Sequence, residues 1–424
     1  MPGRLISAAD IVTASAVPER KPIVEFLGDS ITDQGKYTDA ISARFDAIGF
    51  CSWVRVLTGG RIASDISNNL GVSGATSTTM LSGQVPTAVA SSARISVILI
   101  GTNDVKGGTI PTATTIANIA AAVSALTAVG KTVILVPILP RSSPVTFSTA
   151  QAQQVERIRR WMHETYGRAS GRVFIADATS VMMDASTGNG KSASLFQDGL
   201  HLSPYGAYVV ARVVADIINF LIPVSDCLIV SALDLYSATD NIYGAQNGNP
   251  VLAGTAGATA NGATGDVPTS WTGSINAAGA AFTAAFSKVS HPSIAGMEVA
   301  RVTLGGTGDS KYINFESYFN WGSGVVAGNQ VVAECEAWVA GLTNVNSVFV
   351  QLYPSAGSPV VYDMFSTADK GVFPTVTERL VFRTPPLTIP VGSTQGVMNC
   401  VIRPMTSGSV AGTVDWGRTS VRLV

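Results

Sequence analysis

The sequence predicts a two-part protein, an α/β domain built on a parallel sheet followed by an all-β domain. In the first part, short runs rich in Val and Ile alternate with longer amphipathic stretches, which predicts strands alternating with helices. Strands joined by helical crossovers form a parallel sheet covered on both faces. After Val224 the helical periodicity disappears, and short apolar runs separated by turn residues predict an antiparallel sandwich or jelly roll. A chain of 424 residues is long enough for two or three domains.

The first part contains four predicted strands and three predicted helices. The strands are Ile23–Leu27, Ile95–Ile100, Thr132–Leu139 and Arg172–Ala176. The helices are Ala113–Val129, Thr149–Tyr166 and Ala207–Phe220. In the first helix, apolar residues recur at intervals of three and four, and Gly130 follows as a stop signal.

Domain boundaries are predicted from changes in composition along the chain. We predict an N-terminal extension over 1–21, the α/β domain over 22–224, a linker over 225–248 and the β domain over 249–424. Gly, Ala, Thr and Asn dominate Asn247–Ala281. The strands predicted after it are Glu298–Leu304, Tyr312–Tyr318, Val331–Val339, Val348–Tyr353, Arg379–Arg383, Gly396–Arg403 and Ser420–Val424.

Charge and hydropathy exclude several classes of function. The net charge is −1, and no basic run is present that would neutralise phosphates, so we expect no nucleic-acid partner. The apolar segment Tyr208–Val224 contains Arg212 and Asp216 and is too short to span a membrane, so no membrane partner is expected. Met1–Pro22 lacks the continuous apolar stretch of a signal peptide because Asp10 interrupts it.

The four cysteines, Cys51, Cys227, Cys335 and Cys400, are far apart and form no CxxC pair. This spacing does not fit a zinc site, and the sequence contains no other cluster of metal ligands. We therefore expect neither a metal nor a cofactor. Two interpretations of the cysteines stay open, namely a Cys335–Cys400 disulfide within the β domain, or four buried thiols.

Two segments that follow predicted strands carry candidate catalytic residues. Gly28–Thr32 (Gly-Asp-Ser-Ile-Thr) follows the first strand, and Gly101–Asp104 (Gly-Thr-Asn-Asp) follows the second. Ligands of open α/β sheets bind at the carboxyl ends of strands, so Ser30 and Asn103 lie where a nucleophile and a hydrogen-bond donor would be useful. The alternatives are a turn or N-cap serine and an Asx turn.

Two further segments complete the candidate site. Asn69–Thr76 is a glycine-rich loop, in which backbone N–H groups can approach a ligand closely. In Asp198–His201 (Asp-Gly-Leu-His), a turn can bring the carboxylate to one imidazole nitrogen and leave the other for a nucleophile. The alternative is a capping aspartate and a surface histidine. The other two histidines are His163, in a charged helix, and His291, in a predicted loop of the β half.

Taken together and in this order, the four segments resemble the conserved blocks of the SGNH (GDSL-like) hydrolases. The resemblance implies a flavodoxin-like, three-layer α/β/α domain with about five parallel strands. It implies that Ser30 is the nucleophile, His201 the base and then the acid, and Asp198 the carboxylate that orients it. It also implies an oxyanion hole formed by the backbone N–H groups of Ser30 and Gly74 and the side-chain amide of Asn103.

Neighbouring residues receive lesser roles in this interpretation. Asp29 and Asp104 are expected to be structural acceptors that hold the loops. Arg141 is expected at the surface, with a place in the substrate cleft as the alternative.

The β half resembles carbohydrate-binding jelly rolls and modules of phage tail and cell-surface proteins. Four of the tryptophans, Trp271, Trp321, Trp338 and Trp416, belong to this half, and exposed ones would stack on sugars. We therefore expect a serine esterase that O-deacetylates a polysaccharide, extracellular or virion-associated, and trimeric if it is a phage tailspike. The alternatives are a short-chain esterase or lipase acting on small esters, and a virion structural or receptor-binding protein with an inactive hydrolase half.

Overall fold

The computed structural model describes residues 21–38, 42–63, 65–167, 171–224, 228–355, 358–366 and 370–424. Most of the predicted N-terminal extension therefore lies outside the described residues. Up to residue 221 the elements are, in chain order, β1 (Val24–Gly28), α1 (Ser30–Asp33), β2 (Lys36–Thr38), β3 (Ser42–Asp46), α2 (Phe50–Leu57), α3 (Ser77–Thr79), α4 (Val85–Ala90), β4 (Ile95–Leu99), α5 (Thr102–Gly107), α6 (Thr112–Ala128), β5 (Thr132–Val136), α7 (Thr149–Tyr166), β6 (Val173–Ile175), α8 (Thr179–Met182) and α9 (Pro204–Leu221).

A four-stranded parallel sheet forms the centre of the α/β half, in the order β1-β4-β5-β6. Every residue of β1 and β4 is buried, which explains why apolar residues dominate these runs. The four predicted strands and their parallel arrangement are confirmed. The implied count of about five strands is not met in the described residues. Beyond β1, a single bridge between Phe26 and Asn69 takes the position of a further strand, because the chain turns there into a glycine-rich loop.

Helices cover both faces of this sheet, as predicted. Residues of α4, α6 and α7 form one hydrophobic cluster with one face of the sheet, and α2 and α9 belong to the cluster on the other face. All eight residues of α2 are buried. Among the described helices, α9 alone is long and apolar enough to cross a membrane by length and composition, and half of it is buried inside the protein. Its apolarity is that of a core helix.

The second half consists of strands in two sheets. The strands are β7 (Ala258–Ala260), β8 (Thr264–Gly265), β9 (Thr272–Ile275), β10 (Phe282–Ser290), β11 (Glu298–Gly306), β12 (Ile313–Asn320), β13 (Gln330–Thr343), β14 (Val345–Pro354), β15 (Val360–Phe365), β16 (Thr377–Arg383), β17 (Leu387–Thr388), β18 (Gln395–Pro404) and β19 (Ala411–Leu423). A seven-stranded sheet has the order β16-β13-β19-β11-β10-β8, with β17 paired to β13. Side chains from both sheets share one hydrophobic cluster. The predicted β-rich half is confirmed, and its jelly-roll topology stays a prediction.

The eight-stranded sheet joins the two halves, because β2 and β3 of the α/β half belong to it. Its order is β2-β3-β15-β14-β18-β12-β9-β7, and β3 pairs in parallel with β15. Behind this junction, Arg55 of α2 donates to Asp363 of β15 at 2.7 Å, and the Asp363 side chain is fully buried. The ring centroids of Trp53 and Phe373 lie 5.1 Å apart. The halves therefore share a core.

The predicted linker contains residues that pack closely where the structure describes them. Residues 225–227, with Cys227, lie outside the described residues. The Gln246 N–H donates to the Val421 carbonyl at 2.8 Å, and the buried Asn247 accepts from the Val421 N–H at 3.0 Å. The exact domain boundaries stay a prediction.

Cysteines and tryptophans of the β half are buried or partly buried where the structure describes them. Cys335 and Cys400 are buried free thiols on strands of opposite sheets, so the disulfide alternative is not formed. Trp271 and Trp416 are fully buried. Trp321 is partly covered, and its indole N–H donates to Ser393 at 3.0 Å. Core packing, rather than an exposed tryptophan platform, accounts for these side chains.

Candidate active site

Ser30 is the first residue of α1, directly after the carboxyl end of β1. The strand must end tightly, because a Cβ on Gly28 would lie 2.2 Å from the Leu99 carbonyl oxygen. Asp29 caps the helix by accepting from the Ile31 N–H at 3.0 Å. The alternative in which Ser30 is the N-cap is therefore wrong, and its hydroxyl is available for another partner.

The structure brings Ser30 into contact with the predicted pair Asp198 and His201, which lies about 170 residues further along the chain. Ser30 Oγ lies 3.0 Å from His201 Nε2, and Asp198 Oδ2 lies 2.7 Å from His201 Nδ1. This pattern fits a neutral imidazole that donates from Nδ1 to the carboxylate and accepts at Nε2 from the hydroxyl. A hydroxyl held this way can transfer its proton to the imidazole as it attacks an electrophile.

The loop that carries Asp198 and His201 is fixed by backbone hydrogen bonds. Asp198 Oδ1 accepts from the N–H groups of Leu200 at 3.0 Å and His201 at 2.8 Å. Gly199 has a φ of 87°, and a Cβ there would lie 2.6 Å from the Ser142 carbonyl oxygen. Only glycine fits this turn without displacing the backbone that aims the imidazole.

The pKa of Asp198 depends on the balance between burial and hydrogen bonding. Partial burial disfavours the Asp198 carboxylate, but the hydrogen bonds from the His201 ring and from the backbone outweigh it, so the pKa of Asp198 is lowered. The side chains of His201 and Asp198 are 30% and 55% exposed, so a solvent-borne substrate can reach them. The carboxylate is therefore ionised and can stabilise an imidazolium.

Hydrogen-bond donors for a developing oxyanion lie on two loops. The backbone N–H groups of Ser30 and Gly74 have no acceptor among the described residues. A Cβ on Gly74 would meet nothing within 4 Å, so the space beside this peptide is open. Asn103 Nδ2 donates one hydrogen to the Ala75 carbonyl at 2.9 Å, next to Gly74, and keeps a second hydrogen for another acceptor.

Side chains that the sequence did not single out hold the glycine-rich loop. Asn69 Nδ2 donates to the Thr32 carbonyl at 2.6 Å, and its Oδ1 accepts from the Gly71 N–H at 3.0 Å. Lys36 Nζ donates to the carbonyls of Asn69 and Gly71 at 3.0 Å and 2.9 Å. Through Thr32 and Lys36, these bonds tie the loop to the segment that follows Ser30.

A buried glutamine and the predicted acceptor Asp104 support the strand ends. Gln84 accepts from the Gly28 N–H and donates to the Gly28 carbonyl, both at 2.8 Å. The fully buried Asp104 accepts from the Ser77 N–H at 2.9 Å and from Thr115 Oγ1 at 3.0 Å. Asp104 thus has the structural role that was expected of it.

Asp29 and Arg141 form a second, buried layer beneath the triad. Arg141 is 4% exposed and donates to Thr102 Oγ1 at 3.0 Å, so the expectation of a surface arginine is wrong. Burial raises the pKa of Asp29 to about 7, against the hydrogen bond from Ile31 and the nearby Arg141 charge. Asp29 Oδ2 has no hydrogen-bond partner among the described residues. Asp29 therefore caps the helix, as expected of a structural acceptor. Its raised pKa also means that it titrates at near-neutral pH.

A cleft opens onto the triad and continues into a larger groove. Ser30, Ser73 and His201 line a cleft of about 370 Å³. An adjacent groove of about 860 Å³ is lined by the His201 loop, the start of α9 and a loop of the β half, Lys370–Thr375. The two spaces adjoin each other, because Gln197, Asp198 and Lys370 line both.

The other two histidines have structural partners elsewhere. His163 Nε2 lies 2.7 Å from Asp177 Oδ2 on the outer side of α7. His291, in the loop between β10 and β11 where a loop was expected, is buried and lies 2.8 Å from Glu336 Oε1. His201 remains the histidine that contacts the candidate nucleophile.

Comparison with known proteins gives one family and several similar structures. Residues 26–209 match the model of the GDSL-like Lipase/Acylhydrolase family. A GDSL-like lipase from Bacteroides thetaiotaomicron is 21% identical, with a match covering 50% of this chain and 94% of that one at a TM-score of 0.36. A family 3 carbohydrate esterase from Clostridium thermocellum is 18% identical, covering 48% and 99% at a TM-score of 0.35. The enzymatically active domain of a Bacteriophage CBA120 tailspike protein is 10% identical, covering 37% and 20% at a TM-score of 0.26. No curated protein matches the sequence.

Proposed function

We propose that the protein is a serine esterase that removes acetyl groups from a polysaccharide. Residues 26–209 match the model of the GDSL-like Lipase/Acylhydrolase family, which supports the ester-hydrolase part of this proposal. The observation that carries the esterase assignment is the alignment of Ser30 Oγ, His201 and Asp198 at 3.0 Å and 2.7 Å. Hydroxyl, imidazole and carboxylate in this order are the arrangement that activates a serine for acyl transfer.

The proposed reaction starts with attack of Ser30 Oγ on the ester carbonyl carbon. The hydroxyl proton moves to His201 Nε2, and the Asp198 carboxylate stabilises the resulting imidazolium. Negative charge collects on the former carbonyl oxygen, where the N–H groups of Ser30 and Gly74 and the second amide hydrogen of Asn103 act as donors.

Collapse of this intermediate releases the alcohol and leaves an acyl-enzyme. His201 Nε2 gives its proton to the departing alcohol oxygen, which makes the alcohol a neutral leaving group. Water, deprotonated by the same nitrogen, then attacks the acyl carbon. The bond between this carbon and Ser30 Oγ breaks, acetic acid is released, and His201 returns the proton to Ser30 Oγ. Every proton transfer uses the same nitrogen, His201 Nε2. The imidazole must therefore be neutral at the start of the reaction, so that this nitrogen can accept the Ser30 proton.

The groove supports a polymeric substrate over a small one. A space of about 860 Å³ beside the 370 Å³ cleft is far more than an acetyl ester of a small alcohol requires. Its mixed lining of serine, glutamine, tyrosine and valine suits sugar units, which have apolar C–H faces and hydroxyl edges. The proposed setting is extracellular or virion-associated, where such polysaccharides occur, and a phage tailspike would be a trimer.

A short-chain esterase acting on small acyl esters is the second candidate. The observation that favours it is the cleft around Ser30, which is large enough for a small ester without use of the groove. The two candidates differ in the alcohol that they accept and share the same catalytic residues.

Acetate release measured with p-nitrophenyl acetate and with acetylated xylan tests both parts of the proposal. Ser30→Ala is expected to lower kcat on both substrates by at least about 10³-fold while leaving the circular dichroism spectrum unchanged. Ser82→Ala, which removes an exposed hydroxyl of the same domain, serves as the control. Near-wild-type activity of Ser30→Ala would refute the esterase mechanism. Wild-type activity on the small ester alone would favour the second candidate.

A further inference from the structure

The groove beside the triad lies on the side of His201. It adjoins the catalytic cleft at Gln197 and Asp198, which belong to the same loop as His201, and at Lys370 of the β half. Ser73, whose loop carries the donor Gly74, lines the catalytic cleft. The groove therefore lies next to the loop that carries the proton-transferring histidine, because Gln197 and Asp198 of that loop line both spaces.

The chemistry of ester cleavage assigns the two ends of this site to different parts of the substrate. The departing alcohol oxygen must lie beside His201 Nε2 to receive its proton. The carbonyl oxygen must lie beside the oxyanion donors, and the acyl group leaves the reaction attached to Ser30. Space that opens from the His201 loop is therefore space for the alcohol.

We infer that this groove is the binding subsite for the alcohol part of the ester, that this alcohol is a sugar unit of a glycan, and that the β half selects it. The inference deepens the proposed function and rests on it. Tyr205 of α9 and Val372 of the β half both line the groove, and each is 40% exposed. A half-exposed ring and an aliphatic side chain fit the C–H faces of a sugar, and Ser194 and Gln197 provide polar groups for its hydroxyls.

The wall formed by the β half is held in place before any substrate arrives. Asn346 Nδ2 donates to the Gly371 carbonyl at 3.1 Å, the Phe373 N–H donates to the Val345 carbonyl at 2.7 Å, and Thr375 Oγ1 donates to the Leu342 carbonyl at 2.7 Å. These bonds fix the segment between Lys370 and Thr375 at three points. Ligand binding to a preformed wall avoids the entropy loss of ordering a loop.

The same segment is also packed against the α/β half. A Cβ on Gly371 would lie 3.1 Å from Pro204 Cδ at the start of α9. The Phe373 ring is 1% exposed and lies with its centroid 5.1 Å from that of Trp53. The two walls are therefore held at a fixed separation, and the width of the groove depends on both halves.

The test varies the alcohol and the acyl group separately. Tyr205→Ala and Val372→Ala are compared with Tyr243→Ala and Val181→Ala, which remove side chains of the same type at 43% and 41% exposure elsewhere. The substrates are acetylated xylan, glucose pentaacetate, p-nitrophenyl acetate and p-nitrophenyl butyrate. Melting temperatures establish that each variant is folded.

We expect kcat/KM on the sugar acetates to fall about 10-fold in each groove variant. The ratio of kcat/KM for p-nitrophenyl acetate to that for p-nitrophenyl butyrate should stay constant, because the acyl group lies outside the groove. The control variants should resemble the wild type on all four substrates.

Several results would overturn the inference. A change in the acetate-to-butyrate ratio in the groove variants would mean that the groove holds the acyl chain. Equal losses of kcat/KM on the sugar acetates and on p-nitrophenyl acetate would mean a general effect on the triad. A wild type that hydrolyses the p-nitrophenyl esters but neither sugar acetate would exclude a sugar subsite. If the wild type cleaves glucose pentaacetate but not acetylated xylan, the proposal of a polysaccharide substrate is refuted. The sugar subsite is then tested by the effect of the groove variants on glucose pentaacetate. A wild type inactive on every ester refutes the proposed function itself.

Discussion

Replacement of Asp29 by asparagine should remove a pH-dependent loss of stability. The residue is 1% exposed, and burial raises the pKa of its carboxyl to about 7 from the ordinary value of 3.8. Between these values the unfolded chain has lost a proton that the folded chain still holds, so the free energy of unfolding of the wild type falls as pH rises. Above pH 7 both states are ionised and the loss is complete.

The size of this change in the free energy of unfolding follows from the pH range over which Asp29 is protonated only in the folded state. Each unit of pKa shift corresponds to about 1.4 kcal/mol, and about 2 units of the interval lie between pH 5 and pH 7. The stability of Asp29→Asn relative to the wild type should therefore increase by about 3 kcal/mol from pH 5 to pH 8. Asparagine keeps an oxygen for the Ile31 N–H, so the helix cap survives.

Urea denaturation of both proteins at pH 5 and pH 8 measures this difference. Asp184→Asn is the control, because hydrogen bonds from Ser186 and Thr187 lower the pKa of this exposed carboxyl. Any contribution of Asp184 is lost only on acidification below pH 4, so its variant should follow the wild type over the tested range. Parallel stability profiles of Asp29→Asn and the wild type would show that the buried carboxyl does not titrate near pH 7.

Three further substitutions test the site and the junction of the halves. Asn103→Ala should lower kcat on p-nitrophenyl acetate by about 10²–10³-fold with a smaller change in KM, and an unchanged kcat would remove Asn103 from the oxyanion hole. Gly199→Ala should lower both kcat and the melting temperature, because its Cβ would lie 2.6 Å from the Ser142 carbonyl oxygen, and wild-type values of both would contradict this account of the turn. Asp363→Ala leaves the buried Arg55 without this carboxylate partner and should lower the free energy of unfolding in urea by about 3–5 kcal/mol. A decrease below about 1 kcal/mol would mean that this ion pair does not stabilise the junction of the halves.

The central sheet could be predicted because its signal is local. The strands Val24–Gly28 and Ile95–Leu99 are buried on both faces and are therefore largely apolar runs, which are visible without knowledge of their neighbours. The helix Phe50–Leu57 gives no such signal. It has only eight residues, and its polar side chains, Ser52 and Arg55, are buried together with the apolar ones, so it forms no solvent-exposed polar face.

The strands Lys36–Thr38 and Ser42–Asp46 could not be predicted, because what makes them strands lies elsewhere in the chain. Ser42–Asp46 pairs with Val360–Phe365, more than 300 residues away, and the sequence contains no trace of that pairing. The predicted separation into an α/β part and a β part therefore missed the strands that the first part contributes to the second.

The candidate site shows the same division between local and non-local signals. Ser30, Asp198 and His201 lie in short motifs whose order and spacing carry the prediction, and the structure brings them into contact. Gln84 belongs to no motif, and its role exists only because the fold brings it to the Gly28 peptide. Arg141 was expected at the surface because an arginine is buried only when partners are present, and Thr102 and Asp29 become its partners only in the folded chain.

The shared core changes how the two halves can be studied and how they can diverge. Removal of the β half would take away the partner strand of Ser42–Asp46 and expose Trp53, so a truncated protein would lose stability together with any role in substrate selection. Point changes in Lys370–Thr375 avoid this, because the segment is fixed by backbone and buried contacts while Val372 faces solvent. Exposed side chains on a rigid wall can vary without moving the triad, so the acyl-transfer chemistry and the choice of alcohol are carried by different parts of one cleft.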